Sequence, residues 1–233
     1  FPYTTLFRSV IAELIKEVKE EKGKELYYVI VSEAGASVYS ASQLASEEYP
    51  DINVSIRGAI SIGRRLQDPL SELVKIDPKA LGVGQYQHDV TPKKLDESLG
   101  GVVEDCVNNV GVDLNMATPS LLSYVSGINS TISKNIVAYR EENGKFSNRK
   151  ELLKVKRLGD KAYEQCAGFL RVMESTEPLD NTGVHPESYK ACKSLLKTLG
   201  YSEQDLKNNK LSDIDSKVQS IGLEKLAQDI NIG

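Results

Sequence analysis

Six apolar positions recur at a spacing of thirty residues. Leu122, Val125, Ile128, Ile132, Ile136 and Tyr139 are matched by Leu152, Val155, Leu158, Ala162, Cys166 and Phe169. Between the second and third members of each set lies a short turn, Val125-Ser126-Gly127-Ile128-Asn129 in one copy and Val155-Lys156-Arg157-Leu158-Gly159 in the other. Gly and Asn tolerate positive φ, so Gly127, Asn129 and Gly159 are expected to let the chain reverse. Each copy then reads as a short helix, a hairpin around one apolar residue, and a second helix with apolar spacing of four and three.

That arrangement is the helix-hairpin-helix pattern, and its chemistry follows from helix ends. The first N–H groups of the second helix have no intrahelical partner and the macrodipole makes that end partly positive, which suits a phosphate. Gly127, Ile128 and Asn129 in one copy, and Lys156, Arg157, Leu158 and Gly159 in the other, are the expected backbone-gripping residues, with Lys134 and Lys161 supplying charge. Such contacts hold a nucleic-acid backbone without reading bases. The alternative is a pair of plain αα-hairpins whose glycines only cap helices. Charge weighs against it. The whole chain carries net −4, yet Lys145 to Lys161 holds seven basic residues against two acidic ones, on the linker and second hairpin. The usual Gly-apolar-Gly turn is reduced to one Gly in each copy, so each grip is expected to be weaker than a two-glycine version.

The remaining sequence predicts a mainly α chain. Ser9 is expected to cap a helix whose apolar face is Val10, Ile11, Leu14, Ile15 and Val18, after a leader, Phe1 to Arg8, that has no helical period and looks foreign to that helix. Leu26 to Val31 is apolar, β-branched and aromatic, and is the one expected strand. Asp68-Pro69, Asp77-Pro78, Thr91-Pro92 and Thr118-Pro119 each place a capping residue before a proline suited to a first helical turn. Gly82 to Asp89 reads as a connector. After Ser175 a helix is expected from Pro186 towards Leu199, a capping pair at Ser202 and Asp205, and another turn at Ile221-Gly222-Leu223. Three widely spaced cysteines, Cys106, Cys166 and Cys192, form no CxxC pair and fit a reduced cytoplasm. No apolar run approaches the ~18 residues of a membrane span, so no membrane partner is expected.

Five strings carry a family resemblance: 31–40 (VSEAGASVYS), 64–70 (RRLQDPL), 82–89 (GVGQYQHD), 103–108 (VEDCVN) and 136–140 (IVAYR). They closely resemble the bacterial Tex proteins, RNA-binding transcription accessory factors. The similarity runs from about Val10 to the C-terminus. It implies the C-terminal remnant of an α/β ribonuclease H-like (YqgF-type) domain at 9–67, a helical connector at 68–100, the tandem helix-hairpin-helix at 101–174 and a small helical domain at 175–233. It also implies an internal fragment, cut before an OB-fold RNA-binding domain, with 1–8 as a non-native leader.

By the same resemblance Glu33 stands where ribonuclease H-like nucleases hold a second catalytic acid, and Ser55 stands where a last acid is expected. One carboxylate does not hold the metals that phosphodiester hydrolysis needs, so the expectation is a protein that is not an enzyme and has no cofactor. His88 and His185 lack ligand-spaced neighbours and read as structural, as do Cys106 and Cys166. Arg57, Arg64 and Arg65 read as solvated helix residues rather than an RNA path. The expected function is sequence-nonspecific binding of RNA or DNA within a transcription accessory factor, with the transcription machinery as a further partner. The alternatives are a protein-interaction scaffold and a degenerate metal-dependent nuclease.

Overall fold

The computed structural model describes residues 2–81 and 87–230, with side chains described from Arg8 onward. The chain is mainly helical and divides into two compact units, Phe1–Gln67 and Asp68–Gly233.

The first unit contains α1 (Pro2–Lys22), α2 (Ala36–Ser40), α3 (Gln43–Glu48) and α4 (Val54–Gln67). Helix α1 begins well before Ser9, so Ser9 lies inside the helix and the leader is not irregular. Pro2 is tolerated in a first turn, and no breaker intervenes before Gly23. The strand expected at Leu26 to Val31 is absent. A strand exists only by pairing, and the described residues of this unit offer no partner, so the run stays irregular and exposed, with Tyr27 85% and Ile30 62% accessible. The unit's small core is Ala36, Tyr39 and Ala45, where α4 packs on α2. Arg57 and Arg65 belong to that packing. Arg57 donates from Nε to the Tyr49 carbonyl (3.0 Å) and from Nη1 to Ser46 Oγ (2.8 Å), and Arg65 Nη1 donates to the carbonyls of Ser32 (2.7 Å) and Ala34 (2.9 Å). Both are buried rather than solvated.

The second unit opens with α5 (Pro69–Leu73), capped by Asp68 Oδ1 on the Ser71 N–H (3.0 Å), and a 3-10 turn at Pro78–Leu81. Of the expected connector, residues 82–86 lie outside the described residues and Gln87–Asp89 is a 3-10 turn. Helix α6 (Pro92–Val110) runs unbroken through Gly100 and Gly101, so the boundary expected at 100/101 falls within a helix. It leads into β1 (Val112–Asp113), α7 (Pro119–Leu122), α8 (Ser130–Asn143), a 3-10 segment Arg149–Lys154, α9 (Asp160–Cys166) and β2 (Leu170–Arg171). Strands β1 and β2 pair in parallel, Val112 opposite Leu170 and Asp113 opposite Arg171, and so join the beginning and end of the repeat. Helices α10 (Tyr189–Thr198), α11 (Glu203–Lys207), α12 (Ile214–Ile221) and α13 (Leu223–Asp229) come after it. Ser202 and Asp205 form the expected capping box, and Gly222 (φ 93°) makes the expected turn between α12 and α13.

One core fills the repeat. Leu122 and Leu152, Val125 and Val155, Ile128 and Leu158, and Ile136 and Cys166 are buried in it, and Ile132, Ala162, Tyr139 and Phe169 complete or flank it. The thirty-residue spacing is therefore a spacing of core positions in two copies that share one interior.

Candidate nucleic-acid interface

The two hairpins match bond for bond. In the first, the Val125 N–H donates to the Leu122 carbonyl (3.0 Å) and the Ile128 N–H to the Val125 carbonyl (3.0 Å). In the second, Val155 donates to Leu152 (2.9 Å) and Leu158 to Val155 (3.1 Å). The residue with positive φ is the third of each turn: Gly127 (φ 79°) in one, Arg157 (φ 68°) in the other. This corrects the expectation for Asn129 and Gly159. Both are extended, at φ −94°, ψ 173° and φ −92°, ψ 179°, because each is the N-cap of the following helix, a position that takes β-region angles.

The caps differ in kind. Asn129 Oδ1 accepts from the N–H groups of Thr131 and Ile132, both at 3.0 Å, so the first donors of α8 are already satisfied by the chain itself. Gly159 has no side chain and α9 starts without a side-chain cap. Ile128 and Leu158 are 5% and 3% exposed and their N–H groups are used inside the turns. They anchor the turns and present nothing to solvent.

Each turn is held by the other copy. A Cβ on Gly127 would stand 2.6 Å from Gln165 Cβ and 3.1 Å from the Ala162 carbonyl, which shows how closely the first turn lies on α9. Conversely, Asn135 on α8 donates from Nδ2 to the Lys156 carbonyl (2.7 Å) in the second turn. From α6, Asn108 reinforces the first turn, accepting from the Ser126 N–H (3.1 Å) and donating to the Tyr124 carbonyl (3.2 Å). Nothing in the spacing of Asn108 or Asn135 marks them in the sequence, because each acts across the fold.

The basic run sorts into three groups. Lys145 pairs with Glu174 (3.1 Å) and Lys154 with Glu151 (3.0 Å). Arg149 is 1% exposed and enclosed by carbonyls, so it does not face a ligand. Lys150, Lys156, Arg157 and Lys161 are exposed, as is Lys134 on α8, and none of them makes an ion pair with another described residue. Lys156, Arg157 and Lys161 flank the uncapped start of α9, beside one exposed acid, Asp160.

The other sequence candidates carry no assembled chemistry. Glu33 is exposed beside a pocket that it lines with Ser37, Ser55 and Gly58. No group of three or more His, Cys, Asp or Glu side chains converges on a metal-sized site among the described residues. Burial pushes the Cys166 thiol up to about 12, as suits a core residue, while Cys106 is exposed. His185 Nε2 bonds the Glu164 carbonyl (2.9 Å), a structural tie. No described helix is long and apolar enough to cross a membrane.

Comparison with known proteins agrees with this geometry. Residues 107–171 match the helix-hairpin-helix motif, 7–67 the Tex protein YqgF-like domain, and 177–233 an HHH domain. The chain is 58% identical over 221 residues to the protein YdcI of Bacillus subtilis (strain 168), covering 95% of this chain and 30% of that one. It is 56% identical over 201 residues to the transcriptional accessory protein Tex of Neisseria gonorrhoeae, covering 86% and 26%. It is 39% identical over an alignment of 253 residues to S1 RNA-binding domain-containing protein 1 of Homo sapiens, covering 88% and 25%. The chain thus spans less than a third of the length of these relatives.

Proposed function

From a chain that carries the YqgF-like and helix-hairpin-helix domains of the Tex family, we infer a module of a transcription accessory protein that grips nucleic-acid phosphates through its paired hairpin turns. The observation that carries this reading is the second turn. Three exposed cations, Lys156, Arg157 and Lys161, stand around a helix start with no side-chain cap, and the turn is braced from α8. Backbone phosphate is the matching ligand, because point charges and main-chain donors recognise an oxyanion and carry no base code. Lys134, exposed on α8 beside the Asn135 that bonds the Lys156 carbonyl, adds a cation from the first copy. The binding is sequence-nonspecific, needs no cofactor, and takes place in the cytoplasm with the transcription machinery.

A salt titration of binding to random-sequence single- and double-stranded RNA and DNA tests the reading. Four cations predict that log affinity falls against log salt with a slope of about −3 for single strands and about −3.6 for duplex DNA. Binding that ignores salt, or no binding at low salt, would overturn it and leave the scaffold reading. The same reading expects no nuclease activity, because one carboxylate, Glu33, does not hold the metals that phosphodiester hydrolysis needs. Incubation of the four probes with Mg²⁺ or Mn²⁺ should leave them intact, and cleavage that disappears in Glu33→Gln would refute this.

A further inference from the structure

Arg149 belongs to the basic run of 145–161, yet it is the largest fully buried side chain among the described residues. Its Nε donates to the Leu170 carbonyl (2.7 Å), Nη1 to the Val184 carbonyl (2.7 Å) and the Tyr189 hydroxyl (2.8 Å), and Nη2 to the Thr182 carbonyl. Its own N–H donates to Asp180 Oδ2 (3.0 Å). Asp180, 2% exposed, also accepts from Ser175 Oγ on Oδ2 (2.8 Å) and from the Tyr189 hydroxyl on Oδ1 (2.6 Å). Most of these partners belong to residues 177–233, the segment to which the tandem hairpins assign no task.

Burying a guanidinium is costly unless its donors are matched, and an apolar residue of similar volume fills space at less cost. What the charge network adds is a fixed position. Arg149 is the first residue of the 3-10 segment that runs directly into the second turn, and that turn presents Lys156, Arg157 and Lys161. The first turn is held elsewhere, by Asn108 of α6.

We propose that Arg149 is a positioning residue for the second hairpin, through which the C-terminal helical domain sets how that hairpin's cations meet a phosphate backbone. This rests on the phosphate-gripping reading above. His185 adds a tie from the same domain to α9 through the Glu164 carbonyl.

A double-mutant cycle on the full chain tests it, read by binding to the labelled random-sequence RNA and DNA probes of the salt titration. Tyr189→Phe keeps the ring and removes the hydroxyl between Arg149 and Asp180. Arg149→Lys keeps the charge and loses the fork. Each should weaken binding by roughly three- to tenfold, add a smaller factor in a Lys161→Ala background, where only Lys156 and Arg157 remain to be positioned, and add its full factor in a Lys134→Ala background. A role confined to general stability would lower binding equally in both backgrounds, which would overturn the proposal, as would wild-type binding by both variants. Should Arg149→Lys fail to fold, judged by circular dichroism, Tyr189→Phe decides alone. Binding indifferent to both Lys161→Ala and Lys134→Ala would sink the hairpin reading and this proposal together. Sensitivity to Lys161 without sensitivity to Tyr189 would sink the positioning role only.

Discussion

At the scale of single residues, the two glycines that look alike in the sequence do opposite work. Gly127 needs both its positive φ and its missing Cβ, so Gly127→Ala should cost on the order of 2 kcal/mol or more, measured by urea unfolding. Gly159 has ordinary extended angles and nothing within 4 Å of a built Cβ. Gly159→Val should therefore fold with a loss under about 1 kcal/mol, and a drop in binding would report close phosphate approach rather than a damaged turn. Arg157 inverts the pattern. A non-glycine residue at φ 68° bears strain of about 1–2 kcal/mol, partly offset by the entropy a glycine would lose. Arg157→Gly should melt at the same or a slightly higher temperature and still bind less tightly, since it removes a cation. Stability and binding moving together would refute that assignment. Of this, only the positive φ of Gly127 is legible in the sequence; Asn129, Gly159 and Arg157 are not, because residue identity alone does not show which position of a turn takes the positive φ.

At the scale of elements, the paired core positions of the repeat are legible in the sequence and the strands are not. Six paired apolar positions announce two copies with one interior because burial is periodic, and periodicity survives in sequence. Strands β1 and β2 are two residues each, too short to have a period, and they exist by pairing across the whole repeat. Leu26 to Val31 has the composition of a strand without the neighbours that make one. The caps show how much an element's end decides. Asn129 occupies the Thr131 and Ile132 donors, whose counterparts Gly159 leaves open in the other copy. Asn129→Gly should cost only a few tenths of a kcal/mol, as glycine is the next-best cap, and should tighten phosphate binding a few-fold by making the first hairpin resemble the second. Weaker binding in a folded Asn129→Gly protein would show that the asparagine serves the interface itself.

At the scale of the whole chain, stability is distributed as unevenly as function. The second unit holds the continuous core from Val107 to Val172 and the buried Arg149 network that carries it into the C-terminal helices. The first unit buries few large side chains and leaves Leu26, Tyr27, Tyr28, Val29 and Ile30 accessible, with backbone outside any helix or ladder. Segments with few buried contacts and unprotected backbone open at the lowest free energy, and proteolysis samples those openings. Limited chymotrypsin digestion should therefore cut first at Leu26, Tyr27 or Tyr28, and a fragment containing 107–172 should persist longest. Thiol labelling of the same sample gives an independent reading. Cys106 is exposed and should react in the folded protein, whereas Cys166, buried and with its thiol pushed up to about 12, should react only when the core opens. If Cys166 labels before the Tyr27 region is cut, the repeat is not the stable centre of the chain, and the hairpins would lack the rigid support that a fixed set of phosphate-facing cations requires.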